Sequence, residues 1–219
     1  MLITKTPYRL SLYGGGLDYP EWYEKRGAKV LCAGLDYHCY LTVRRLKGFF
    51  DHKYRASYSK IESSMKIDEI AHPSIREVFR KFANDMSLEV THIGDLPARS
   101  GIGSSSAFTV GLINSVMALR GEYLGRERLA KAAISIEQNE MSENVGFQDQ
   151  CAAAFGGLVI IEACSNGIQP RKFICREEYI TYISNNLLMG FDGIPRNSGD
   201  SSKIIKQNIK DDSYLSKML

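Results

Sequence analysis

The sequence predicts an α+β fold, and three observations predict it. Stretches rich in β-branched and aromatic residues share the chain with stretches of helical apolar spacing, in mixed order rather than strict alternation. The 219 residues are 44% hydrophobic and 24% charged, which supplies one large domain or two small ones. Glycine clusters at 14–16, 101–103 and 156–157 punctuate the chain where regular segments end or begin.

Leu2 to Tyr13 alternates as a strand and stops at Gly14-Gly15-Gly16. Residues 28–47 read as two strands, or as one long strand bent near Gly34-Leu35-Asp36. Tyr54 to Tyr58 is a short strand. Pro73 opens a helix over Ser74 to Asp85, with Ile75, Val78, Phe79 and Phe82 at helical spacing. Leu88 to Ile93 is a strand. The loop from Asp95 to Ser106 is rich in Gly and Ser and runs into a helix from Ser104 to Leu119, which Gly121 stops. A second helix, Arg126 to Glu140, carries Leu129, Ala130, Ala133, Ile136 and Glu137 along adjoining rows. Gln148 to Phe155 is a short helix between Gly146 and Gly156-Gly157, and Leu158 to Ala163 is a buried strand. Further strands are expected at Gln169–Cys175 and Asn186–Phe191, and Ser201–Leu219 reads as a polar helix.

Composition excludes several classes. Wholesale disorder, collagen and a small disulfide scaffold do not fit it. Lys plus Arg is 28 against 25 for Asp plus Glu, a net charge of +3, so nucleic acid is not expected as a partner. The five cysteines, Cys32, Cys39, Cys151, Cys164 and Cys175, form no C-x-x-C pair, and their flanks are apolar. They are expected to be buried, reduced thiols of a cytoplasmic protein. Lys5 and Arg9 interrupt the apolar stretch at the N-terminus, so no signal peptide is expected, and no run approaches the ~18 apolar residues of a membrane helix.

Three constellations carry chemistry. In Pro97-Ala98-Arg99-Ser100-Gly101-Ile102-Gly103-Ser104-Ser105-Ser106-Ala107, two glycines permit close backbone approach before three serines open a helix. Free N–H groups and the positive dipole end make that an anion site. It is not a G-x-x-x-x-G-K-S/T phosphate loop, since no Lys stands there. An ordinary loop with a serine cap is the bland alternative, although one cap does not need three serines. The second is Pro7-Tyr8-Arg9-Leu10-Ser11-Leu12-Tyr13-Gly14-Gly15-Gly16-Leu17-Asp18-Tyr19, where Asp18 could accept hydrogen bonds from adjacent sugar hydroxyls or serve only as a turn residue. The third is Glu137 followed by Gly146-Phe147-Gln148-Asp149-Gln150 and a run of small residues. A carboxylate packed among small residues needs a partner. Glu137, Glu140 and Glu143 could equally be surface charges.

In this order, over residues 7–157, the three resemble the signatures of the GHMP kinases, the family of galactokinase, homoserine kinase and mevalonate kinase. Pro7, Arg9, Gly14, Asp18 and Tyr19 fall in register with the galactokinase pattern P-G-R-x-N-x-x-G-E-H-T-D-Y. Residues 97–107 resemble the phosphate loop P-x-x-x-G-L/I-G/S-S-S-A/S-A/S, and Glu137 with Asp149 twelve residues on resembles the acid pair before G-x-x-D-Q. The Gly14-Gly15-Gly16 turn and the run Gln148 to Gly157 look most like the branch that phosphorylates D-glycero-D-manno-heptose 7-phosphate, and residues 192–196 look like its T-G-x-x-R segment.

The resemblance implies an N-terminal ATP and substrate domain over 1–180, ribosomal-protein-S5-like, and the start of an incomplete ferredoxin-like domain over 181–219. It implies ATP and Mg²⁺ as cofactors. Gly101, Gly103, Ser104, Ser105 and Ser106 would cradle the phosphates, and Ser105 with Glu137 would hold Mg²⁺. Asp149 would be the general base, with Arg9 beside it. Gly14, Gly15, Gly16, Asp18 and Arg196 would face a small sugar phosphate, phosphorylated at its anomeric hydroxyl. A homodimer is compatible with the family; a membrane is not called for. No segment after Gly157 matches the family's third, G-A-G-G-G signature, so the chain is expected to be shorter than its relatives. Two other readings stay open: a fucose- or galactose-type sugar kinase, and an inactive nucleotide- or sugar-binding remnant.

Overall fold

A computed structural model describes residues 1–97 and 100–190, and the fold is α+β as the element order predicts. Strand β1 (Leu2–Tyr13) leads through the glycine turn to a short helix α1 (Pro20–Arg26) and a long strand β2 (Ala28–Arg45). A hairpin, β3 (Tyr54–Ser57) and β4 (Ile61–Ser64), precedes helix α2 (Pro73–Phe82) and strand β5 (Leu88–Gly94). Three helices follow: α3 (Ser104–Leu119), α4 (Arg126–Ser135) with a π-helical turn at Ile136–Glu140, and α5 (Gln148–Phe155). Strands β6 (Leu158–Cys164) and β7 (Gly167–Lys172) and helix α6 (Glu177–Asn186) complete the described part.

Among the described residues the seven strands form one sheet in the order β4-β3-β5-β2-β6-β7, with β1 also paired to β2. Strand β2 organises it. It pairs antiparallel with β1 along most of its length, with β5 over residues 39–45 and with β6 over residues 28–33. Strand β3 runs parallel to β5.

The bend expected near Gly34 has a physical counterpart. In β2, Val30 and Cys32 are buried, and so are Cys39, Leu41 and Val43, so the buried parity changes between the two halves. Side chains alternate across a strand, so an irregularity must lie between. It does: the β1–β2 register shifts between Pro7 and Arg9, where Pro7 faces His38 but Arg9 faces Gly34. Each half of β2 therefore serves its own core. Cys39, Leu41 and Val43 pack with α2 and α3 residues such as Ile75, Phe79, Leu112 and Ile113. Val30 and Cys32 pack with Trp22, Phe147, Cys151 and Val159.

Helix α3 is apolar nearly all round because it is enclosed, a pattern that no single amphipathic stripe would give. It lies so close to the sheet that a Cβ on Gly111 would come within 2.7 Å of Thr6 Oγ1. Helix α2 carries the expected stripe but ends at Phe82, where Ala83 closes it, short of the predicted Asp85.

Other expectations need correction. The second helix does not continue regularly to Glu140, because its last turn is a π turn with Met141 N–H donating to Ile136 O at 2.9 Å. The strand expected at 169–175 is displaced to Gly167–Lys172, and residues 187–190 form no strand. Helices α1 and α6 and strand β4 are additions to the elements that the sequence predicts. Only Cys32, Cys39 and Cys151 are buried; Cys164 is exposed and Cys175 half-buried. The segments 192–196 and 201–219 lie outside the described residues.

Candidate active site

The Gly- and Ser-rich loop delivers the N-terminus of α3 to the end of β1. Gly103 adopts the left-handed conformation, φ 71°, that starts the helix. Ile102 O accepts a hydrogen bond from Arg9 N–H at 2.9 Å, so loop and strand are stitched together. Ser104 is half-buried, Ser105 is exposed and Ser106 is buried. Among the described residues, no hydrogen bond from a side chain caps the helix. The unpaired first-turn N–H groups thus stay available for an anion.

Asp149 sits in the first turn of α5 and meets this loop. Its Oδ1 pairs with Arg9 Nη2 at 2.5 Å, in a position where the two side chains are 26% and 15% exposed. Its Oδ2 lies against Gly103, where an added Cβ would stand 3.1 Å away. Glycine at 103 therefore serves twice, for its backbone angle and for room beside a carboxylate.

Asp18 is buried beneath them, only 3% exposed. Its Oδ2 accepts Gln148 N–H at 3.3 Å, at the start of α5. A Cβ at Gly146 would overlap the Asp18 carboxylate. Burial first, and the charge of Asp149 second, raise the Asp18 carboxyl above its ordinary value. One oxygen of Asp18 is thus committed to the protein, a restriction on the expected role of a free sugar ligand.

Glu137 lies in the π turn and is fully buried. Its Oε2 accepts two hydrogen bonds, from Ser106 Oγ at 2.8 Å and from Gln150 Nε2 at 2.5 Å. Its Oε1 is buried with no hydrogen-bond partner among the described residues. Burial pushes the carboxyl up to about 7 against the pull of those donors. An orphaned carboxylate oxygen beside a hydroxyl is a donor set that suits Mg²⁺, a hard cation that prefers oxygen. Among the described residues no cluster of three His, Cys, Asp or Glu could hold a metal.

The structure brings together Arg9, Asp18, Gly103 and Asp149 as predicted, and places Glu137 beside the same helix start. Ser106 donates to Glu137, while Ser105, expected to share a metal with it, is exposed at the helix start. Successive residues are about 100° apart around a helix, so Ser105 turns outward as Ser106 turns inward. Gly14, Gly15 and Gly16 form the turn beyond β1, and Gly101 has open space where a Cβ would go. Arg196 lies outside the described residues. Gln148 and Gln150 stand in the sequence motif without a predicted role; their adjacency to Asp149 on one helical turn is the available signal.

This geometry has relatives. Residues 70–157 match the model for the GHMP kinases N terminal domain. The chain belongs to this kinase family. It is 30% identical to D-glycero-alpha-D-manno-heptose 7-phosphate kinase of Campylobacter jejuni, an alignment that covers 98% of this chain and 66% of that protein. The chain thus spans just under two thirds of that relative. A shorter match, 36% identical over 35% of this chain and 28% of the relative, is to shikimate kinase of Archaeoglobus fulgidus. The crystal structure of a D-glycero-D-manno-heptose 1-phosphate kinase from Bacteriodes thetaiotaomicron shares the fold, with a TM-score of 0.74 at 22% identity over 97% of this chain and 72% of that one. Among the described residues, no helix is long and apolar enough to cross a membrane.

Proposed function

We propose that the protein phosphorylates a sugar phosphate with ATP, and that the acceptor is D-glycero-D-manno-heptose 7-phosphate, giving the 1,7-bisphosphate. The observation that carries this reading is the Arg9–Asp149 pair packed on Gly103 at the open N-terminus of α3. A carboxylate from α5, a cation from β1 and the first N–H groups of α3 meet there. The 30% identity to the heptose 7-phosphate kinase supports the choice of acceptor.

Bound nucleotide and Mg²⁺ would supply the phosphoryl group and the charge that offsets its transfer. Gly101, Gly103 and the first N–H groups of α3 would hold the phosphates, with Ser104 and Ser105 at the rim. Glu137 Oε1 and the Ser106 hydroxyl would hold the metal. Asp149 would receive the proton of the attacking hydroxyl at a carboxylate oxygen, a step worth about 10²–10⁴-fold when the base is well placed. Arg9 would keep that carboxylate in position and face the transferred group. Asp18 would hold the start of α5, and the glycine turn would admit the sugar.

The test is an ADP-release assay with heptose 7-phosphate, D-galactose, L-fucose and shikimate, followed by phosphorus NMR of the product. An anomeric phosphate formed only from the heptose phosphate is the expected result. Turnover of a neutral hexose alone, or of shikimate alone, would overturn the acceptor. No ADP from any of them would overturn the activity.

A further inference from the structure

Gln148 has no part in the scheme above, yet it stands at the centre of the site. It opens α5, one residue before Asp149 and two before Gln150. Its main chain is fixed, because its N–H donates to Asp18 Oδ2 at 3.3 Å. Its side chain is not satisfied. The amide oxygen Oε1 is buried and, among the described residues, has no hydrogen-bond partner. Leaving a buried amide oxygen unpaired is costly, so such an atom calls for a donor from outside the protein, whether ligand, ion or water.

The position of that oxygen narrows the choice. It lies 3.8 Å from where a Cβ would stand on Gly15, in the glycine turn. The same Cβ would come within 2.5 Å of Ser11 Oγ. Glycine at 15 thus leaves room for the Ser11 hydroxyl, with the Gln148 amide oxygen just beyond it. Asp149 is the next residue, paired with Arg9 and packed on Gly103. A cation fits that corner less well than a hydroxyl. An amide can both accept from and donate to a hydroxyl, and Ser11 offers a second group of the same kind.

We infer that Gln148 binds a hydroxyl of the acceptor, next to the one that Asp149 deprotonates, and so selects a polyol of defined configuration. The inference rests on the kinase reading. A site that hydrogen-bonds a substrate hydroxyl rejects analogues lacking it far more strongly than an apolar pocket rejects a missing methylene. Gln148 is thus a specificity residue that touches the substrate.

Gln148→Leu keeps the bulk and the backbone donor to Asp18 while removing the amide. Calorimetry with heptose 7-phosphate and its monodeoxy analogues reads acceptor binding, and calorimetry with Mg-ATP reads the other half of the site. Acceptor affinity should fall about 10- to 100-fold, with Mg-ATP affinity and melting temperature little changed. The native protein should discriminate against one deoxy analogue, and Gln148→Leu should lose that discrimination. Equal acceptor affinity in both proteins, with the heptose phosphate still turned over, would overturn the inference and leave the kinase reading intact. Parallel losses for acceptor and Mg-ATP would show that Gln148 only supports the helix start, which also overturns it. Absence of any polyol binding together with absence of ADP release would overturn both.

Discussion

Glu137 offers a test of the site that needs no substrate. Its carboxyl is fully buried, and burial raises it from 4.5 to about 7. The folded protein therefore holds this proton more tightly than the unfolded chain does. Stability from Glu137 is highest below the unfolded value of 4.5 and is lost as pH rises through about 7. Each tenfold change in proton affinity is worth about 1.4 kcal/mol, so the loss between pH 4.5 and pH 8 is about 3 kcal/mol. For a chain of this size that corresponds to roughly 6–12 °C in melting temperature. Glu137→Gln keeps the shape and can still accept from Ser106 and Gln150, but it has no proton to lose. The difference in melting temperature between variant and native protein should thus grow steadily from pH 5 to pH 8. Taking the difference removes other titrations, including that of His72, which burial lowers to about 4 and which destabilises the fold as pH falls below its ordinary 6.5. Mg²⁺ with a non-hydrolysable ATP analogue should narrow the gap at pH 8, because a cation stabilises the ionised carboxylate. Melting curves that stay parallel across the pH range would refute the claim that burial of the Glu137 carboxyl outweighs its hydrogen-bond donors.

Three further outcomes are expected. Asp149→Asn should lower turnover by about 10²–10⁴-fold with Mg-ATP affinity nearly unchanged, as steady-state kinetics and calorimetry would show. Gly103→Ala forces a side chain into φ 71° and places a Cβ 3.1 Å from Asp149 Oδ2; it should weaken Mg-ATP binding at least tenfold in calorimetry while the circular dichroism spectrum is preserved. Gly146→Ala drives a Cβ into the buried Asp18 carboxylate and should cost about 1–3 kcal/mol in chemical denaturation, with Gly121→Ala, which has open space but also a positive φ, costing less.

Much of this architecture is legible in the sequence because local signals and tertiary demands agree. The strand over Leu2–Tyr13, the helix at Ser104–Leu119 and the helix at Gln148–Phe155 are bounded by glycines that the backbone needs at those points. The bend in β2 is legible as Gly34-Leu35-Asp36, but its consequence, a change of buried face, depends on the partner strand. The site residues on loops and first turns are legible because Gly, Ser and Asp there have few structural reasons to cluster. The choice of Ser106 over Ser105 is not, since it turns on which face of α3 meets the π turn. The π turn itself leaves no mark in the spacing of Leu129, Ala130, Ala133 and Ile136, because those residues also satisfy an α-helix. Helix α6 escapes notice for another reason: none of its residues is buried, so no apolar stripe is anchored to a core.

The π turn at Ile136–Glu140 has an evolutionary corollary. A π turn is an α-helix that has accommodated one residue more than its hydrogen-bond ladder expects. Loss of a single residue from this segment would let the ladder close as a regular helix and would turn everything beyond the deletion by about 100°. A deletion just before Glu137 would carry its carboxylate away from Ser106 and Gln150. A deletion just after Glu137 would instead shorten the tether to Gly146, which is drawn back by Gln138 Nε2 donating to Val145 O at 2.9 Å and by Glu143 N–H donating to Glu137 O at 2.8 Å. The constraint here is therefore on length as well as on composition. Substitutions on the exposed side of the turn, at Asn139 or Glu140, should be freely accepted across lineages, whereas single-residue gaps between Ser135 and Met141 should be purged.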